Sequence, residues 1–192
     1  MTSQPRWSYV GQRCAPDDDR PDARDCAARL DGLKAAGDEQ RLRTLAGQGE
    51  RCAFVALMEV LVEGDRVDDL RALADAGDGR ARVTLMELFL NGSREEELRA
   101  EVARSGEVHW LLAHLSRHGR SDEALAELDA WLAEHPDQVA AWRGRRLDLL
   151  LEAGRVEEVR RLAGDGDRAA ARRLRQTEPA SPTDGLDRPA AT

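Results

Sequence analysis

The sequence predicts an all-α protein, a stack of antiparallel helix pairs, and three observations carry that expectation. The apolar content is mostly Leu, Ala and Val, with only four Trp, two Phe and one Tyr in 192 residues, a palette that favours helices. Leu42, Leu70 and Leu98 recur 28 residues apart, and each opens a short segment that stops at a glycine, Gly49, Gly77 or Gly106. Longer apolar segments, RCAFVALMEVLVEG, RARVTLMELFLNG and EVHWLLAHLSRHG, lie between the short ones and close at Gly64, Gly92 and Gly119. The repeating unit is therefore long helix, glycine, short helix, glycine. Alternating apolar and polar residues flanked by turn residues, the mark of a strand, do not occur.

Taken in order, residues 1–20 are expected to form an extended or disordered arm. Its Trp7 is expected to fold back on the first helix, where burial gains on the order of 2–3 kcal/mol. Helices follow at 22–36, 39–47, 51–63, 66–76, 79–91, 94–104, 107–118, 121–134, 137–153, 155–164 and 167–176. Glycine ends each by adopting the left-handed conformation, and a nearby Asp or Ser caps the next. Ser93 with Glu96 reads as a capping box, and Ser121 as an N-cap. In the long segment from Arg51, Ala53, Ala56, Leu57, Val60 and Leu61 recur at three- and four-residue steps. The segment from Arg82 is apolar over a still broader face, through Val83, Leu85, Met86, Leu88 and Phe89. Faces this wide need neighbours on two sides, which stacking provides. The short segments carry the narrower stripe of an outer layer, as in Leu70, Leu73 and Ala74. The helical domain is expected over 21–176. The tail 177–192, rich in Pro, Ala and Thr, has too little apolar surface to fold.

The net charge of −8 argues against general binding to nucleic acid or anionic membrane, which draws its free energy from cations meeting phosphates. Residues 143–176 depart from this, with ten Arg against six acidic residues. That basic end reads either as a solvated capping helix or as a docking surface for an acidic partner. Nucleic-acid binding through Arg160, Arg161, Arg172, Arg173 and Arg175 is the alternative function. Three cysteines, Cys14, Cys26 and Cys52, cannot all pair within one chain and form no C-x-x-C. A reduced, cytoplasmic protein is the expectation, since no signal-peptide core or spanning segment is found.

From Ser105 to Gln138 the spacing lengthens. Val108, Leu111, Leu112, Leu115, Gly119, Ala124, Leu128, Trp131 and Pro136 there resemble the pattern of a tetratricopeptide repeat. The following segment, with Trp142, Leu149 and Gly154, fits after a one-residue shift. The 28-residue units before it are shorter than the family's repeat and lack the proline, so they resemble degenerate relatives. The resemblance implies a right-handed α-solenoid of about five helix pairs whose first helices line a concave groove for a peptide or partner helix. Carried over, its groove positions fall on Arg51, Phe54, Met58, Arg82, Met86, Phe89, His109 and Arg117. The family's carboxylate-binding Lys and Asn set is missing. Phe54, Met58, Met86 and Phe89 read equally well as core packing.

No motif for catalysis, cofactor or metal emerges. HWLLAHLSRH places His109, His114 and His118 on one helix without the Glu of a zinc protease or a nearby Cys. DAGDGRA and GDGDRAA lack the spaced oxygens of a calcium loop and read as helix caps. Cys52 reads as an inert thiol in an apolar helix. The function expected from sequence is a non-enzymatic protein- or peptide-binding module with no membrane partner.

Overall fold

The computed structural model describes residues 21–177. Among the described residues there are eleven α-helices, one 3-10 turn and no strand. The helices are α1 (Pro21–Ala35), α2 (Glu39–Gly47), α3 (Arg51–Glu63), α4 (Val67–Asp75), α5 (Gly79–Asn91), α6 (Glu95–Ser105), α7 (His109–Arg117), α8 (Ser121–Glu134), α9 (Val139–Glu152), α10 (Val156–Gly164) and α11 (Arg168–Thr177). The 3-10 turn Pro136–Gln138 separates α8 from α9, where one continuous helix from residue 137 was expected. Every other bound agrees with the sequence expectation within two residues. The readings of the N-terminal arm, Trp7 and Cys14 lie outside the described residues. So does that of the tail, apart from Thr177, which ends α11.

One backbone device explains the repeated lettering. Just past most of the helix ends, an amide donates back to the carbonyl of a residue five positions earlier, the bond that closes a Schellman turn. It runs from Glu50 to Leu45 (3.1 Å), Arg66 to Leu61 (2.8 Å), Asp78 to Leu73 (3.1 Å), Arg94 to Phe89 (3.0 Å), Arg120 to Leu115 (2.9 Å) and Asp167 to Leu162 (3.0 Å). A large apolar residue accepts the bond each time; Leu45, Leu61, Phe89 and Leu115 pack the core while their carbonyls terminate the helix, and Leu73 and Leu162 are half-buried.

Apart from Glu50 and Glu107, the residue that follows the left-handed position comes in two kinds. Asp38, Asp78 and Asp167 cap the next helix, Asp78 by accepting from the Arg80 and Ala81 amides at 2.9 and 3.2 Å. Arg66, Arg94, Arg120 and Arg155 instead pair with a carboxylate three residues on: Asp69, Glu97, Glu123 and Glu158.

The structure corrects the sequence at these turns. Gly64 and Gly92 have ordinary φ values of −86° and −83°, and the left-handed residues are Asp65 (φ 50°) and Ser93 (φ 54°). Glycine relieves crowding at 64 and 92. A Cβ on Gly92 would meet the Leu88 carbonyl oxygen at 3.0 Å and the Arg94 Cδ at 3.1 Å, and one on Gly64 would be nearly as crowded by Arg66. Ser93 therefore stands outside α6 in a conformation unlike that of an N-cap, and the expected capping box does not describe this turn. Ser121 is the first helical residue of α8 and is buried; Arg120 holds the N-cap position, without a side-chain bond to the helix amides. Because Ser93 is exposed and strained, Ser93→Gly is expected to raise stability by about 0.5–1 kcal/mol, the left-handed penalty less glycine's entropy. A higher urea midpoint at unchanged slope is the readout.

The chain divides into two compact units between Glu101 and Val102, within α6. In the N-terminal unit α3 packs against both α1 and α5, and α2 and α4 lie over this layer. The most extensive hairpins are α2–α3 and α4–α5, so each short helix belongs chiefly with the long helix after it, not before it. Ala53 through Met58 are six consecutive buried residues, as a helix covered on two sides requires. Ion pairs link elements about one repeat apart: Arg66 with Glu39, Arg94 with Asp65, Arg43 with Asp69 at 3.3 Å and Lys34 with Glu59 at 2.8 Å. Each is worth at most about 1 kcal/mol at such exposure, so burial supplies the cohesion and the charges set register.

In the C-terminal unit α7 packs on α8, α8 on α9, and α9 on both α10 and α11. Val108 at the start of α7, with Leu111, Leu112 and Leu115 within it and Ala124, Leu125 and Leu128 of α8, are all buried. Trp131 stacks on His135 at 4.2 Å and meets Trp142 at 5.4 Å, joining α8 to α9.

Candidate functional site

A cleft that carries side chains from several elements lies in the C-terminal unit and has a volume of about 790 Å³. Its walls are the end of α8, the 3-10 turn, the first half of α9 and the α10–α11 connection. The turn begins at Pro136, which can neither donate to a continuing helix nor let its predecessor stay helical. The chain therefore leaves α8 and re-enters α9 displaced, with Leu132, Pro136, Val139, Ala140, Leu147 and Leu162 lining the gap. Val139 is the one large hydrophobic side chain strongly exposed among the described residues, at 50%.

Three of the four charged residues that line this cleft, Arg143, Arg146 and Asp167, are held by ion pairs, and among the described residues Asp137 accepts only from its neighbour Gln138. Arg143 Nε donates to Asp167 Oδ2 at 2.7 Å, while Asp167 Oδ1 accepts from the Ala169 and Ala170 amides at 2.9 and 3.0 Å. Arg146 grips Asp129 through two bonds, at 2.7 and 3.2 Å. The amide of Ala170 holds the Asp167 carboxyl below its ordinary value of 3.8; burial opposes this, and Arg143 and the Ala169 amide add to it. A depressed folded pKa contributes stability that is complete above the unfolded value near 3.8 and is lost as pH falls through the lower folded one. Asp167→Asn, which keeps an accepting oxygen but no charge, is expected to flatten that acid limb in pH-dependent urea titrations. An unaltered acid limb would remove Asp167 from it.

With Arg143, Arg146 and Asp167 satisfied internally, the cleft offers few fixed polar contacts and a large apolar surface. Such a lining is suited to shape complementarity and hydrophobic anchors.

The residues expected to line a groove are distributed differently. Met58, Met86 and Phe89 are fully buried, so they pack the N-terminal unit and present no surface to a partner. Phe54 is 5% exposed, with the Arg80 guanidinium 3.9 Å above its ring. Arg82 turns toward its own neighbours, donating to the Ala74 carbonyl at 3.1 Å. Arg51, His109 and Arg117 are exposed. The eight fall in both units, six before the division and two after it. Of the basic set, Arg160 pairs with Glu157 and Arg173 with Asp148, whereas Arg161, Arg172 and Arg175 are exposed. His114 is buried beside His118, whose Nδ1 donates to the His114 carbonyl at 2.8 Å. Among the described residues no three His, Cys, Asp or Glu side chains gather as metal ligands, and no helix is long and apolar enough to cross a membrane. Cys26 and Cys52 are not joined in a disulfide.

No family model matches the chain, and neither a curated protein nor a solved structure is significantly similar to it.

Sequence reading missed Val139, Ala140 and Arg143. Pro136 was the available signal: a proline closing one helical segment and followed three residues later by Val139-Ala140-Ala141 leaves apolar residues on a first turn that the preceding helix cannot cover.

Proposed function

We propose that the protein is a non-enzymatic interaction module of stacked helical repeats, similar in plan to tetratricopeptide proteins, which captures an apolar segment of another protein in the α8–α9 cleft. One observation carries the binding assignment: a roughly 790 Å³, mainly apolar cleft flanked by the half-exposed Val139, with both of its arginines already paired to carboxylates. The repeat assignment is supported within each unit, where the substantial packing joins helices adjacent or next-but-one in sequence, as stacking requires. The cleft takes the place of the expected α3 and α5 positions, whose Met and Phe side chains are interior.

The occupant is a short peptide, helical or turned, that inserts two or three aliphatic or aromatic side chains. Selecting binders from a displayed library of random peptides tests this directly. Enrichment of apolar-anchored sequences is expected, with binding abolished by Ala140→Trp, which fills the cleft from an exposed position. Selected peptides that bind Ala140→Trp as tightly as the parent would reject the assignment.

A further inference from the structure

The outer face of α11 carries a second, chemically different surface. Arg168, Arg172 and Arg175 are exposed at positions i, i+4 and i+7, one stripe of the helix spanning about 10 Å. The opposite face holds the buried Ala170 and the part-buried Leu174. α11 contains no acidic residue, and among the described residues none pairs with these three arginines.

Elsewhere the fold repeatedly matches arginine with a carboxylate on a neighbouring element. Arg66 meets Glu39, Arg43 meets Asp69, Arg71 meets Glu101 at 3.0 Å, and Arg173 of α11 itself meets Asp148 of α9 at 3.0 Å. The α11 stripe is one half of the same helix-to-helix pairing, facing outward. We infer that it docks an acidic α-helix of another protein, one with carboxylates at the same three-to-four-residue spacing.

Charge complementarity favours a protein helix over nucleic acid. A duplex carries one charge per about 1.7 Å and needs many cations along its length. Here three aligned arginines sit on a chain of net charge −8, which repels a long polyanion far more than a helix bearing three or four carboxylates. Arginine also suits carboxylates through paired donors held in a fixed plane. This surface is separate from the apolar cleft, and the inference stands or falls without it.

Fluorescence anisotropy at low salt on the whole chain provides the test, with three labelled probes. The first is an alanine-rich helical peptide with glutamates along one stripe at i, i+4 and i+7. The second has the same composition with its glutamates dispersed around the helix, and the third is a short DNA duplex. The striped peptide is expected to bind best, with affinity falling as salt rises and dropping about tenfold or more in Arg168→Glu/Arg172→Glu/Arg175→Glu. Charge reversal at the exposed Arg24 and Arg41 of the N-terminal unit, and Ala140→Trp in the cleft, should leave it unchanged. Far-UV circular dichroism and the thermal midpoint check that the triple variant folds, and the triple Gln variant replaces it if it does not. Absence of binding, equal binding of the dispersed peptide, tighter binding of the duplex, or indifference to the α11 substitutions would each overturn the inference.

Discussion

Phe89→Ala is expected to lower stability by about 3–5 kcal/mol, the range for emptying an aromatic site in a core that only partly collapses. Phe89 is fully buried near the end of α5. Its carbonyl accepts the Arg94 amide at 3.0 Å to close the turn, and the Arg94 guanidinium lies 5.3 Å from its ring. One residue thus links the core to the turn that launches α6, and the truncation removes both its packing and the surface Arg94 lies over. Urea unfolding should show a lower midpoint at nearly constant slope. A loss below about 1 kcal/mol would mean that the ring is not enclosed as described.

Met86→Glu should be at least as damaging, by about 3–5 kcal/mol or enough to abolish the cooperative transition, because it places an unpaired carboxylate where no side-chain surface reaches water. Burial would push that carboxyl's folded pKa above its unfolded value. The penalty is then complete at pH above the folded pKa and shrinks as pH falls toward the unfolded one, where the group is neutral in both states. Met86→Leu, close in volume, should cost less than about 1.5 kcal/mol. Retained stability in Met86→Glu at neutral pH would return Met86 to a solvent-facing surface, as the groove reading of the sequence had it.

Those two residues show where the sequence stopped being informative. Helix ends were legible because their cause is local: a Leu whose carbonyl takes the returning amide, a left-handed residue, then Asp or Arg, all within six positions. Which residue adopts the left-handed conformation was not, since Gly64 and Gly92 serve the passage of the Arg66 and Arg94 stems and leave the strain to Asp65 and Ser93. Burial was legible only as a total. The wide apolar faces of α3 and α5 announce two covering neighbours, but spacing cannot say which flank stays open, so Met58, Met86 and Phe89 could be given to a groove although both flanks are closed. The cleft was the least visible feature. Leu132, Val139, Leu162 and Asp167 meet only because the Pro136 turn offsets α9 and the Arg143–Asp167 pair draws the α10–α11 connection against it. Neither event is periodic in the sequence.

Chemical-shift mapping of the isotope-labelled full-length chain with a display-selected peptide tests the account most directly. Shifts concentrated at Leu132, Val139, Ala140, Leu147 and Leu162, with Phe54 and Arg82 unmoved, are the predicted result. Perturbation running along α3 and α5 while the Pro136 turn stays silent would contradict it.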